Sequence, residues 1–406
     1  MAPRIKQRYE DFKVQEITNG QKAEIKEFPK DLDDYGQKIE FELNALKGER
    51  KEQLKCVMQK RITEMQFALK SIANKQGFSI KRLGFAGTKD KRAVTAQHIT
   101  IFDPSIDRLK QFRDKNVFLH SFGWSDKKLE LGDLDKNYFE IIIRGIDEKK
   151  DLKKITTQIK KDIKDGIPNF FGEQRFGSVR SSNHLIGKLF FEGKTKDAVE
   201  LFLTGTSDNE PENTTTAREL VKQGNFKEAI RTFPKENKYE KAILNTLIKN
   251  PNDYNNAWTQ IPKTLAYLFV HAYQSHLFNL YLEKRIKEFK NPLEKQNGDI
   301  LDEQGFVLGP LYGYSTEFAT GEIEKLEQNI LNLEDFTPQH FKVKNFPMLS
   351  VEGARRRIKL DVQEFKILDI SADEFNENCQ EFKISFILDK GNYATTVTEF
   401  IISYLK

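Results

Sequence analysis

Strand-like and helix-like spacings of apolar residues follow one another along the chain in separate blocks. Phe12, Val14 and Glu16 alternate with Lys13 and Gln15, the two-residue period of a strand. Ile39, Phe41 and Leu43 alternate in the same way, and Gly48 ends the run. Over residues 52–76 the period changes: Ile62, Met65, Leu69 and Ile72 stand three, four and three apart, one face of a helix that Gly77 stops. A short strand and a loop with glycines come next, and residues 94–102 predict a further strand. Residues 132–145 contain the β-branched run Ile141-Ile142-Ile143, which predicts a buried strand. Leu152, Ile155, Ile159 and Ile163 then predict an amphipathic helix, ended by Asp165-Gly166.

The next 180 residues or so are mostly helical in spacing. Residues 193–202 and 224–233 share Gly-x-x-Lys-x-Ala-[Val/Ile]-x-x-Phe, 31 residues apart. A tetratricopeptide-like stack needs at least about three copies, and two are found, so chance likeness of two helices is the better reading. Residues 204–216 predict a polar loop, and Gly309-Pro310-Leu311-Tyr312-Gly313 a turn. Residues 265–289 predict the longest helix here, with Leu268, Ala272, Leu277, Leu280 and Tyr281 on a mostly apolar face. Phe382, Ile384, Phe386 and Leu388 alternate as a half-buried strand, and residues 394–405 predict a closing helix.

A chain of 406 residues allows two or three domains and a sizeable core. Hydrophobic content of 38% and charged content of 31% fit a soluble, lysine-rich globular protein. No apolar run approaches the roughly 20 residues that span a bilayer, and no secretory leader is visible, so neither membrane nor export is expected. The two cysteines, Cys56 and Cys379, lie far apart and predict no disulfide framework. With six scattered histidines, no metal site is expected; the cysteine usage predicts a reducing compartment, the cytoplasm, or the nucleus if the source is eukaryotic. A net charge of +5 permits nucleic-acid binding without establishing it. The basic clusters matter more: Arg4, Lys6, Arg8 and Lys13; Lys81, Arg82, Lys89, Lys91 and Arg92; Arg355, Arg356, Arg357 and Lys359. Brought together they make a groove for phosphates; kept apart they are solubilising charge.

Candidate chemistry concentrates at residues 84–97. Gly84 and Gly87 allow a tight loop, and Asp90 sits among Lys89, Lys91 and Arg92. Nearby positive charge favours the charged form of a carboxyl group. Such a group suits a nucleophile or a proton acceptor and not a general acid. A surface hairpin with solvated charges remains the plain alternative. A Walker phosphate loop is excluded, because Gly87 is followed by Thr-Lys-Asp.

The stretch from Gly84 to Gln97 resembles the signature of the TruD-type pseudouridine synthases, Gly-x-Ala-Gly-x-Lys-Asp-x-x-Ala-Val-Thr-x-Gln, at every fixed position. Pro168-Asn169-Phe170-Phe171-Gly172-Glu173-Gln174-Arg175-Phe176-Gly177 is similar to the family's second signature. Weaker likenesses lie at residues 6–16, at Asn137 and Phe139, at 272–279, at 353–356 and at 389–397. In the last of these, Asn392 replaces the usual Ser and Asp389 the usual Pro.

The resemblance implies an α+β fold. A catalytic domain with a central, mostly antiparallel sheet would span residues 1–167 and 346–406, and a helix-rich inserted TRUD domain residues 168–345. It implies Asp90 as the catalytic residue, with Lys6 paired to it and Asn137 in support. Phe139 and Tyr393 would sandwich the uracil and Phe12 would help shape the base pocket, although without the resemblance Phe12 and Phe139 read first as core residues. Lys89, Arg92, Arg175, Arg355 and Arg356 would contact RNA. It further implies isomerisation of a uridine, most often in tRNA, with no cofactor and no metal, by a monomer. Two alternatives come from other classes: a non-catalytic RNA-binding protein, and a helical-repeat interaction protein resting on residues 178–260 alone.

Overall fold

The computed structural model describes residues 2–177, 180–207 and 210–405. Contacts group the chain into two bodies, residues 1–167 with 361–406, and residues 168–360.

The first body is built on a mixed sheet. Its strand order is Gln363–Ala372, Cys379–Asp389, Lys136–Asp147, Phe12–Thr18, Val94–Phe102, Gln53–Arg61 and Val117–Ser125. Every neighbouring pair in that order is antiparallel except Phe12–Thr18 with Val94–Phe102. That one parallel pairing, with Val14 opposite Thr95, carries the site described below. The two-residue period at 12–16 and at 382–388 is realised as strands, with Phe382, Ile384, Phe386 and Leu388 fully buried. Helices Leu152–Lys164 and Ala394–Leu405 form as their spacing predicts.

Two expectations fail in this body. Residues 39–43 are not a strand but part of the helix Leu32–Asn44. Asp31 caps it by accepting from the backbone N–H groups of Asp33 and Asp34. Tyr35, Ile39 and Leu43, four apart, go inward, whereas Phe41 is 76% exposed. A triplet at every second position also contains an i, i+4 pair, and here the cap decides between the periods. Residues 52–76 are not one helix. They form the strand Gln53–Arg61, and only then the helix Met65–Gln76, closed by Gly77 in the left-handed region. That strand is buried on both faces, so it has no alternation to read.

The second body surrounds the helix Lys263–Glu288, which is buried on most of its circumference, although Leu268 stays partly exposed. Helix Asn183–Phe191 crosses it at Gly187, where a Cβ would collide with the carbonyl of Phe269. Phe190, Phe202, Trp258 and Phe269 form an aromatic centre, with Phe190 and Trp258 4.5 Å apart. Residues 204–216 are not all loop, because the helix Glu212–Lys222 begins directly after Pro211. The expected turn at 309–313 is largely the strand Val307–Leu311, central in a three-stranded sheet. The segment expected to return to the catalytic domain at residue 346 stays in the second body until residue 360. The reason is apolar: Phe346, Leu349, Val351 and Ile358 are buried in that body's core. Among the described residues, no helix is long and apolar enough to cross a membrane.

Candidate active site

The loop after the strand Leu83–Phe85 is pulled inward from several sides. At Gly84 a Cβ would collide with the Thr100 hydroxyl and the Leu129 carbonyl. Gln97 donates from Nε2 to the Gly87 carbonyl at 2.9 Å. Lys60 donates from Nζ to the carbonyls of Asp90 at 2.6 Å and Lys89 at 3.2 Å. The Lys89 ammonium pairs with Glu16 at 2.6 Å, both side chains being almost wholly buried. With its backbone held from beneath, the loop leaves the Asp90 side chain 51% exposed.

Asp90 has one ion-pair partner among the described residues. Lys6 Nζ lies 2.8 Å from Asp90 Oδ2 and 4.0 Å from the centre of the Phe12 ring. Lys6 has φ of 57°, the left-handed region that a side-chain-bearing residue enters at a cost. The flanking residues hold it there. Arg4 and Arg144 exchange two backbone hydrogen bonds of 2.9 Å. Asn376 donates to the Gln7 side chain at 3.0 Å, and Asp11 accepts from the Arg8 N–H at 2.7 Å. Arg144 in turn is buried among Asp11, Asp373 and Glu381.

Phe12 and Phe139 meet edge to face at 6.1 Å, and Phe139 stacks on Phe386 at 5.3 Å. Both Phe12 and Phe139 are buried. Asn137 pairs in register with Glu16 on one side and Leu388 on the other, two positions from Phe139 on the same sheet face. Tyr393 stands 58% exposed, four residues after Asp389, just before the closing helix. The structure thus brings Lys6, Asp90, Phe12 and Phe139 together, with Asn137 on the same face.

The cations next to Asp90 in sequence are turned elsewhere. Lys89 faces the buried Glu16, so its reading as an RNA contact gives way to a structural role. Lys91 pairs with Glu64, and Arg92 donates to the Gln7 carbonyl at 3.0 Å. In the second body, Arg175 donates to the Ser275 hydroxyl at 3.0 Å. Arg355 pairs with the fully buried Glu327. Arg356 donates to Asn169 Oδ1 at 2.6 Å and covers the Phe171 ring. Arg355 and Arg356 are therefore tied into that body's own packing, because buried acceptors compete with any phosphate for their donors.

Sequence reading assigned no role to Lys60, Glu16 or Gln97. Lys60 is a fully buried lysine in a mostly buried strand, a signal hidden while residues 52–76 read as a helix. Burial pushes its ammonium down to about 8, against the pull of the Asp90 charge and alongside the Lys89 charge. The folded chain therefore binds fewer protons than the unfolded chain between about pH 8 and the ordinary lysine value, so this group's contribution to stability rises there. The rate is expected to move the other way. As Lys60 loses its charge, its hold on the two loop carbonyls weakens, and kcat falls above about pH 8. A pH–rate profile of Lys60→Met, lower throughout and lacking that limb, checks the assignment.

A glycine-loop carboxylate thus lies 2.8 Å from a lysine that sits over the Phe12 ring, on a mostly antiparallel sheet. The model of the family described as tRNA pseudouridine synthase D (TruD) matches residues 1–306 and 294–400. A Methanosarcina acetivorans protein named probable tRNA pseudouridine synthase D is 36% identical, over 98% of this chain and 92% of its own. A Thermococcus sibiricus protein of the same name is 30% identical, over 84% of this chain and 86% of its own. The crystal structure of a Methanosarcina mazei protein assigned as tRNA pseudouridine synthase D (TruD) superposes with a TM-score of 0.80 at 34% identity, covering 99% of this chain and 94% of that one. The chain belongs to the tRNA pseudouridine synthase D (TruD) family, a family of isomerases.

Proposed function

We propose that this protein isomerises a uridine of tRNA to pseudouridine, with Asp90 as the reacting carboxylate and no cofactor. The observation that carries the reading is the half-exposed Asp90 held 2.8 Å from Lys6 beside the Phe12 ring. In this reaction the N1–C1′ bond breaks, the uracil turns, and C5 bonds to C1′. The hydrogen on C5 leaves as a proton and N1 gains one, so nothing else is consumed. An anionic Asp90 serves two routes, attack as a nucleophile or removal of the C2′ proton. Lys6 aims it in both, as charge-assisted pairs do. Tyr393 offers an exposed ring for the uracil, while the buried Phe139, packed between Phe12 and Phe386, supports the pocket from within the sheet. Asn137 positions the loop or the ribose. A uridine in folded RNA is swung out of its stack to reach such a site. The activity is placed in the cytoplasm, with one copy of the chain sufficient.

The test uses a tRNA pool carrying tritium at uracil C5. The purified protein is expected to release that tritium, because C5 cannot bond to C1′ without losing its hydrogen. Binding of tRNA that weakens with salt, but without any release, would leave a binding protein and end the enzymatic reading.

A further inference from the structure

A groove of about 530 Å³ opens in the first body where the Lys6 and Asp90 loops come together. One side is made by Arg8 and Tyr9, two and three residues after Lys6. Another is made by Lys91 and Arg92, which directly follow Asp90, and a third by Ile62. The Arg92 guanidinium bonds to the Gln7 carbonyl at 3.0 Å, so the two loops are tied across the groove. Whatever fills this space touches both loops that position the ion pair.

The lining combines two chemistries. Ile62 is 48% exposed and has φ of 49°. A β-branched residue in the left-handed region is a genuine outlier, and such strain clusters where a site needs it. Here it sets a large apolar side chain at the groove, outside the core that such residues usually join. Beside it stands the half-buried Tyr9 ring. Around them are three cations, Arg8, Lys91 and Arg92, and one carboxylate, Glu10. Arg8 pairs with Glu10 at 3.1 Å and Lys91 with Glu64 at 3.3 Å, in exposed pairs of the kind that contribute little and exchange partners readily. An apolar and aromatic patch beside three cations, two of them in exchangeable pairs, fits a base with its phosphate, the three positive charges outweighing the one Glu10 carboxylate.

We propose that this groove seats a nucleotide flanking the target uridine, its base on Tyr9 and Ile62 and its phosphate among Arg8, Lys91 and Arg92. This assignment rests on the reading of function above. Stacking on such a platform tolerates any base, so the groove sets affinity and the placement of the uridine and does not choose a sequence.

The experiment uses the full chain and a tRNA transcript from which the wild type releases tritium. Synthetic versions carry one abasic residue at either neighbour of the target. In the wild type, one of the two is expected to raise KM about tenfold to a hundredfold, the range of base stacking. The double variant Tyr9→Ala with Ile62→Gly should show that loss already on intact RNA, and no further loss on the abasic RNA. Glycine accepts the left-handed backbone at residue 62, so a drop in thermal stability is not expected from that change. Arg8→Gln should flatten the salt dependence of binding by about one phosphate contact. If the losses from variant and abasic RNA multiply, or neither abasic position matters, the groove does not seat the base and only this assignment falls. If the wild type isomerises no RNA at all, the reading of function falls, and this one with it.

Discussion

Asp90→Asn is expected to fold as the wild type does and to lose tritium release by about a thousandfold or more. Losing one positioned acid–base group costs roughly 10²–10⁴ in rate, and a nucleophile that becomes an amide loses more still. The change is close to isosteric and leaves Lys6 an oxygen to donate to. Asp90 is half exposed and its ion pair is a surface one, so stability should shift by no more than about 1 kcal/mol. Unchanged thermal unfolding together with lost release separates chemistry from structure. A variant that releases tritium at near the wild-type rate would remove Asp90 from the reaction while leaving the activity standing. Lys6→Met should lose less, because the carboxylate survives and only its aim is lost.

Arg144→Met should be the most destabilising single change in the first body. The Arg144 guanidinium is 5% exposed and faces Asp11, Asp373 and Glu381. It is 2.9 Å from Asp11 Oδ1 and 3.3 Å from Asp373 Oδ1, and also bonds Glu381. Removing the cation strands buried carboxylates, which costs about 3–5 kcal/mol. The cost should depend on pH. Burial works to raise the Asp373 carboxyl, yet bonds from the Phe375 and Gly145 N–H groups and from Asn376, with the Arg144 charge, hold it below its usual range. Its contribution to stability is therefore present at neutral pH and lost as pH falls through that depressed value. Glu381 goes the other way, raised by burial and by Glu374 and Asp373 despite Arg144. Without the arginine, the carboxyl groups move up and take protons sooner. The gap in urea midpoint between variant and wild type should narrow from pH 7 to pH 5. A gap that stays constant would mean that lost packing, and not stranded charge, explains the defect. The carboxylates that Arg144 holds also anchor the Lys6 segment, Asp11 by accepting from the Arg8 N–H and Asp373 by accepting from Asn376, which holds Gln7, so that segment should loosen and activity fall even at temperatures where the variant is folded.

The parts of the site that were legible in sequence are those whose chemistry is local. The turn glycines, Asp90 and the strand after them lie within residues 84–97. The partner of Asp90 could be named only through a family resemblance, because it lies 84 residues away. Local composition pointed to Lys89, Lys91 and Arg92 around the carboxylate, yet each has another acceptor. Lys60 and Glu16 escaped notice because a buried charge shows in sequence only once its strand is known to be interior. The strand Gln53–Arg61 hid itself by being buried on both faces, and Ile62 happened to extend the helical spacing of residues 65–72 backwards.

By itself the sequence determined where the candidate loop lies, that strands form at 12–16 and 382–388 and helices at 152–164 and 394–405, and to which family the chain belongs. Those follow from short-range rules of glycine conformation, apolar period and a contiguous signature. Apart from Lys6 with Asp90, which the family resemblance implied, tertiary structure decided which charge meets which. Val94–Phe102 runs parallel to Phe12–Thr18, which puts Glu16 under Lys89, and its antiparallel neighbour on the other side, Gln53–Arg61, puts Lys60 under the Asp90 backbone. An ion pair depends on distance through space, and only the register of paired strands converts positions along the chain into that distance.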